Sequence, residues 1–155
     1  MPATMTFDDL KASIDNGEID TVVACFCDMQ GRLQGKRFHA RHFLESAFEE
    51  THCCNYLLAT DMDMNTVPGY RSSSWSRGYG DYTMKPDLAT IRRVAWVPAT
   101  AMVMCDLYDH HTHAMVPHAP RSILMAQVKR ARDMGFEPMM ATELEFFLFE
   151  ETYTQ

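Results

Sequence analysis

Glu143 and Glu145 stand two residues apart in the run Thr142-Glu-Leu-Glu-Phe-Phe-Leu-Phe149. The Phe-rich stretch 138–150 reads as a strand, and alternate residues of a strand share a face. The two carboxylates then point the same way, roughly 6.5 Å apart along the chain at a rise of ~3.3 Å per residue. Phe147 and Phe149 continue their face, and Leu144, Phe146 and Leu148 form the other. Carboxylates on so apolar a strand are costly to bury unless a cation matches them. All-oxygen donors suit hard ions, Mg²⁺ or Mn²⁺. Neighbouring carboxylates could each hold one ion of a pair that clamps phosphate oxygens. The same pattern also fits an edge strand whose charges face water and deter aggregation.

A second acidic pair, Asp61 and Asp63, opens a long stretch without periodicity that runs to Asp87. It holds Pro68, Gly69, Ser72, Ser73, Ser74, Gly78, Gly80 and Pro86, together with Tyr70, Trp75, Tyr79 and Tyr82. Loops of this length are more often functional than not, and the aromatics argue against plain disorder. Strand-end carboxylates beside an aromatic loop could bind a cationic amine, or they could simply form the turn. Upstream, Asp28 to Arg37 (DMQGRLQGKR) gathers Arg32, Lys36 and Arg37 around two glycines. This is either an anion or interface patch or a solvated hairpin, and it matches no phosphate-loop spacing. Asp106, Asp109, His110, His111, His113 and His118 form an acidic, His-rich stretch in which His111 and His113 have ligand-like alternation for zinc, but imidazoles in a polar strand-to-helix turn are usually just solvated.

The elements that must position these groups are readable in outline. Thr6, with Asp9 three residues on, caps a short helix that stops at Asn16-Gly17. Thr21 to Cys27 is β-branched and apolar, a strand. Met29-Gln30-Gly31 turns it into a hairpin partner over 32–39. Residues 41–50 read as helix, Cys54 to Thr60 as strand, and Ala89 to Trp96 and Ala101 to Leu107 as two more strands. Pro120 sits at the first position of a helix marked by Leu124, Val128 and Ala131, with Lys129, Arg130 and Arg132 near its end and Gly135 as its stop. The whole is α+β: one sheet with a helix packed on it up to about residue 113, then a helix and a strand.

The chain has 155 residues with 14 Lys+Arg against 21 Asp+Glu, a formal charge of −7. That length buries roughly 70% of the unfolded surface without staples, and an acidic chain is a poor nucleic-acid binder. No apolar run approaches the ~20 residues of a membrane span. The N-terminus lacks the basic patch and apolar stretch of a signal peptide. The five cysteines form no CxxC pair and read as buried thiols of a reducing cytoplasm. Most of the 13 methionines read as core filler.

The order of these motifs resembles the N-terminal part of the glutamine synthetase family. The pieces are Asp28-Met-Gln-Gly-Arg-Leu-Gln-Gly-Lys-Arg37, Pro86-Asp87-Leu-Ala-Thr90 followed by Trp96, Cys105-Asp106, Ala119-Pro120-Arg121-Ser-Ile-Leu124 and Glu143-Leu-Glu-Phe-Phe-Leu-Phe149. The resemblance implies a β-grasp domain over 1–113 and, over 119–155, the opening helix and strand of a truncated catalytic domain. It implies ATP-dependent amidation of the glutamate γ-carboxylate by ammonia through γ-glutamyl phosphate, as in glutamine biosynthesis and nitrogen metabolism. It maps metal ligation by Mg²⁺ or Mn²⁺ onto Glu143 and Glu145. It also implies a ringed homo-oligomer in which Asp61 or Asp63 acts in trans across the subunit interface. The family's ATP site would lie beyond residue 155, so the resemblance implies a fragment that is inactive alone. Glutamine-forming members carry Gly-Ser-Ser after the loop aspartate, where this chain has Met62-Asp-Met-Asn65. A larger amine, an alkylamine or polyamine, is therefore an alternative to ammonium. A β-grasp interaction module without chemistry is the reading from a different class.

Overall fold

The structure is a computed structural model that describes residues 4–152. Helix α1 (Phe7–Asp15) starts on a reciprocal cap: the Thr6 hydroxyl accepts from the Asp9 backbone N–H at 3.1 Å, and the Asp9 carboxylate accepts from the Thr6 N–H at 2.9 Å. Strands β1 (Thr21–Cys27) and β2 (Leu33–His39) form the expected antiparallel hairpin. Cys25 lies opposite Gly35, and the strands approach so closely there that a Cβ on Gly35 would sit 2.2 Å from the Ala24 carbonyl oxygen. Helix α2 (Ala40–His42) runs into a π-helical turn, Phe43–Ala47, so the expected helix over 41–50 is shorter and wider than its sequence indicates.

Strands β3 (Thr51–Cys54), β4 (Asp81–Pro86), β5 (Arg92–Arg93) and β6 (Thr100–Asp109) complete one sheet of order β2-β1-β6-β4-β3, with β5 set against β6. The β1–β6 pair is parallel and the others are antiparallel. One face carries Val22, Ala24, Phe26, Met84, Ala101, Val103, Cys105 and Leu107. It buries them against Leu10 and Ile14 of α1 and Phe43 and Ala47 of the π turn. This is a mixed α+β architecture. Helix α3 (Pro120–Asp133) begins at Pro120 as expected, but it meets the sheet only through its first turn, where Ser122 is buried.

Several expectations need correction. The strand expected over 54–60 lies at Thr51–Cys54, and a 3₁₀ turn, Asn55–Leu58, follows it. Strand β4 lies inside the stretch read as loop, because its pairing with β3 and β6 outweighs its weak local pattern. The strand expected over 89–96 shrinks to β5 after a 3₁₀ turn at Leu88–Thr90. The strand expected over 138–150 does not form. That segment has no regular structure, and Phe147 and Leu148 are 88% and 91% exposed. A strand needs a neighbour to accept its backbone hydrogen bonds, and none of the described strands pairs with it. The methionines are not mostly core: Met29, Met62, Met64, Met125, Met134, Met139 and Met140 are exposed, on turns, on α3 and in the last segment. Of the cysteines, Cys25, Cys53 and Cys105 are buried, Cys27 is half-buried and Cys54 is exposed. Burial pushes the Cys53 thiol up to about 12, which leaves it inert. No helix among the described residues is long and apolar enough to cross a membrane.

Candidate functional site

The β1–β2 hairpin delivers Asp28, whose side chain is fully buried, to the end of the sheet. Its Oδ1 accepts from the backbone N–H of Gln30 at 3.0 Å and of Arg32 at 2.9 Å. Its Oδ2 accepts from Arg32 Nε at 2.8 Å and Gln34 Nε2 at 3.0 Å. Burial pushes the Asp28 carboxyl up, but the bonds from Gln34, Arg32 and Gln30 together outweigh it and hold the group below its ordinary range.

Fixed in this way, the Arg32 guanidinium turns its remaining donors onto the start of the long loop. Nη1 donates to the Met62 carbonyl at 2.7 Å and Nη2 to the Asp61 carbonyl at 2.9 Å. Beside it, Gln30 Nε2 donates to the carbonyl of buried Thr60 at 2.7 Å. The segment so held is a tight turn organised by Asp61, whose Oδ1 accepts from the N–H groups of Asp63 and Asn65, both at 2.9 Å. The Asn65 backbone bond is the main reason that the Asp61 carboxyl lies below its ordinary range. Met64 closes the turn at φ 67°. A residue bearing a Cβ pays roughly 1–2 kcal/mol in that left-handed region, so the surrounding bonds must over-determine the conformation. Asp61 is thus occupied with its own backbone, whereas the exposed carboxylate of Asp63 has no hydrogen-bond or ionic partner among the described residues. A cleft of about 700 Å³ opens beside the hairpin tip, bounded by Met29, Leu58, Tyr70, Arg71, Arg77 and His118.

The other candidate groups are dispersed. Asp106 joins Asp87 and Arg121 rather than the histidines: Arg121 Nε donates to Asp106 Oδ1 at 2.7 Å, and its Nη2 donates to Asp87. Three pieces that are far apart in sequence thereby meet at the start of α3 and tie it to the sheet. Asp109 accepts from the N–H groups of Thr112 and His111, and these bonds hold its carboxyl low. His118 bonds the Tyr82 hydroxyl at 3.1 Å, and burial lowers its affinity for a proton. No group of three His, Cys, Asp or Glu side chains gathers as a metal set among the described residues. Glu143 and Glu145 lie in the exposed last segment.

Of the two readings of the DMQGRLQGKR segment, the structure shows the hairpin, largely exposed along β2, but with one side chain that is not simply solvated. Lys36 and Arg37 are exposed, but Arg32 is a bracket between two loops. The legible signal was an aspartate four residues before an arginine across a glycine turn, which sets both on one side of a hairpin tip.

These features define a class: an α+β protein whose sheet carries a carboxylate turn bracketed at its end. A family model described as the glutamine synthetase catalytic domain matches residues 117–155. The chain is 52% identical over 147 residues to the gamma-glutamylethanolamide synthetase GlnA4 of Streptomyces coelicolor, covering 94% of this chain and 32% of that protein. It is 31% identical over 140 residues to a glutamate–isopropylamine ligase of a Pseudomonas species, covering 90% of this chain and 30% of the relative. It superposes with a TM-score of 0.62 and 23% identity on a crystal structure titled a novel glutamine synthase homolog, over 75% of this chain and 27% of that one, a likeness of fold. The chain spans about a third of the length of these curated relatives. It belongs to the glutamine synthetase family.

Proposed function

We propose that this chain is the N-terminal part of a ligase that joins the γ-carboxylate of glutamate to an organic amine at the expense of ATP, through γ-glutamyl phosphate. The observation that carries the reading is the 52% identity to a γ-glutamylethanolamide synthetase across 94% of the chain. The Met62-Asp-Met-Asn65 run in place of Gly-Ser-Ser supports an amine larger than ammonium. In this reading residues 1–113 form a β-grasp domain, which the mixed sheet with its parallel β1–β6 pair supports. Residues 119–155 open the catalytic domain, in a cytoplasmic homo-oligomer.

The amine enters as an ammonium cation and must lose a proton before it attacks the acyl phosphate. The Asp61–Asn65 turn supplies the anionic surface for that cation, acting across a subunit interface. Asp63 offers the carboxylate whose lone pairs are free, while Asp61 fixes the turn. A cation that shifts between solvent and a carboxylate gains both affinity and a place to leave its proton.

Glu143 and Glu145 are all-oxygen donors with no ion-pair partner among the described residues, which fits Mg²⁺ or Mn²⁺; two donors are an incomplete set, and further ligands would come from outside the described residues. Such ions neutralise phosphoryl oxygens as charge develops. The test is phosphate release by the full-length protein with ATP, Mg²⁺, glutamate and, in turn, ammonium, ethanolamine, isopropylamine and a polyamine. Organic amines should outpace ammonium. Ammonium as the best acceptor, or no amine-dependent release, would overturn the reading. Glu143→Ala or Glu145→Ala should abolish turnover, and retained activity in both would refute the metal assignment.

A further inference from the structure

The turn that presents Asp63 is closed from within by the Asp61 N–H on the Asn65 carbonyl at 2.9 Å and by the Asp61 carboxylate, which accepts from the N–H groups of Asp63 and Asn65, yet Met64 occupies a backbone region that side chains disfavour. What fixes it from outside is the hairpin: Arg32 binds the carbonyls of two successive residues, Asp61 and Met62, and Gln30 binds the carbonyl of Thr60. Two consecutive carbonyls tied to one planar group fix the peptide planes between them, and so the direction in which the next residue, Asp63, leaves the chain. A guanidinium can do this because its donors form a rigid fork, and an ammonium cannot. The fork is itself locked, because Nε is bound to a carboxylate with no exposed surface.

We infer that Arg32, locked by Asp28, is the positioning residue that sets the Asp61–Asn65 turn for amine binding without touching the amine. The inference rests on the proposed ligase reading. It separates from a purely structural role because Arg32 is half-buried and, while Nε anchors it on Asp28, Nη1 and Nη2 reach the carbonyls of the turn.

The experiment compares the full-length protein with its Arg32→Lys and Arg32→Ala variants. Initial rates of phosphate release are read while amine, glutamate and ATP are varied separately, and amide hydrogen exchange is followed at 60–65. Arg32→Lys should raise the KM for the amine about tenfold and leave those for glutamate and ATP within about twofold. Exchange at Asp63 and Asn65 should accelerate about tenfold while β1 and β6 keep their protection. Millimolar guanidinium should restore part of the amine KM in Arg32→Ala and none in Arg32→Lys. Equal rises in all three KM values, or an unchanged amine KM, would overturn the inference. If the wild-type protein releases no phosphate with any amine, the ligase reading fails and the amine role falls with it. Exchange then decides the remainder: acceleration at 63 and 65 supports the hold on the turn, and unchanged exchange refutes it.

Discussion

Asp61 and Asp63 share their spacing with Glu143 and Glu145, yet the two pairs stand in opposite surroundings. The aspartates sit in a turn whose carbonyls are bound by Arg32 and Gln30 and whose backbone N–H groups are bound by Asp61 itself. The glutamates sit in a segment without regular structure, followed by exposed phenylalanines and paired with none of the described strands. Spacing alone is neutral between these outcomes. A carboxylate pair acquires geometry from what its backbone is tied to: the aspartates are tied to a hairpin already closed by β1 and β2, whereas the glutamates are tied to no strand among the described residues.

The contrast rests on the Asp28 bracket, so removing it should have the largest effect. Asp28→Ala should cost about 3 kcal/mol in urea unfolding, since it strands a partly buried guanidinium. It should also make amides 61–65 exchange as fast as 143–147. Loss below about 0.5 kcal/mol would show that the bracket is decorative. Gly35→Ala strikes the same hairpin through sterics. Its Cβ would meet the Ala24 carbonyl oxygen, and the forced shift should cost about 2 kcal/mol by thermal unfolding. Acid should act more weakly and on one region only. Asp28 lies below its ordinary value of 3.8, so its contribution is complete above that value and is lost as pH falls through the lower folded one. Stability should therefore drop below about pH 4, and Asp28→Asn should remove that part of the drop. Least of all, replacing Phe146, Phe147 and Phe149 by Ser should shift the unfolding of the 155-residue chain by under about 0.5 kcal/mol, because exposed side chains lose nothing. A larger loss would show that the segment packs on the sheet.

The elements legible in the sequence were those fixed by neighbours along the chain. The Thr6–Asp9 cap, the β1–β2 hairpin and the start of α3 at Pro120 each depend on contacts within a few residues. Strand β4 was hidden because Asp81–Pro86 owes its form to β3 and β6, and the expected strand over 138–150 failed for the converse reason. The candidate site divides in the same way. Both acidic pairs were visible as pairs, but nothing local to Arg32 tells that its fork closes on residues 61 and 62, about thirty positions away.

By itself the sequence determined the α+β class, the family and the residues able to carry charge to a substrate, since these follow from residue types, spacing and order. Only the tertiary structure decided that Asp28 is buried, that Asp61 serves its own turn while the Asp63 carboxylate has no partner among the described residues, and that Arg121 joins Asp87 to Asp106. Hydrogen bonds and ion pairs are short-ranged, so partners distant in the chain acquire energy only once the sheet has brought them within about 3 Å.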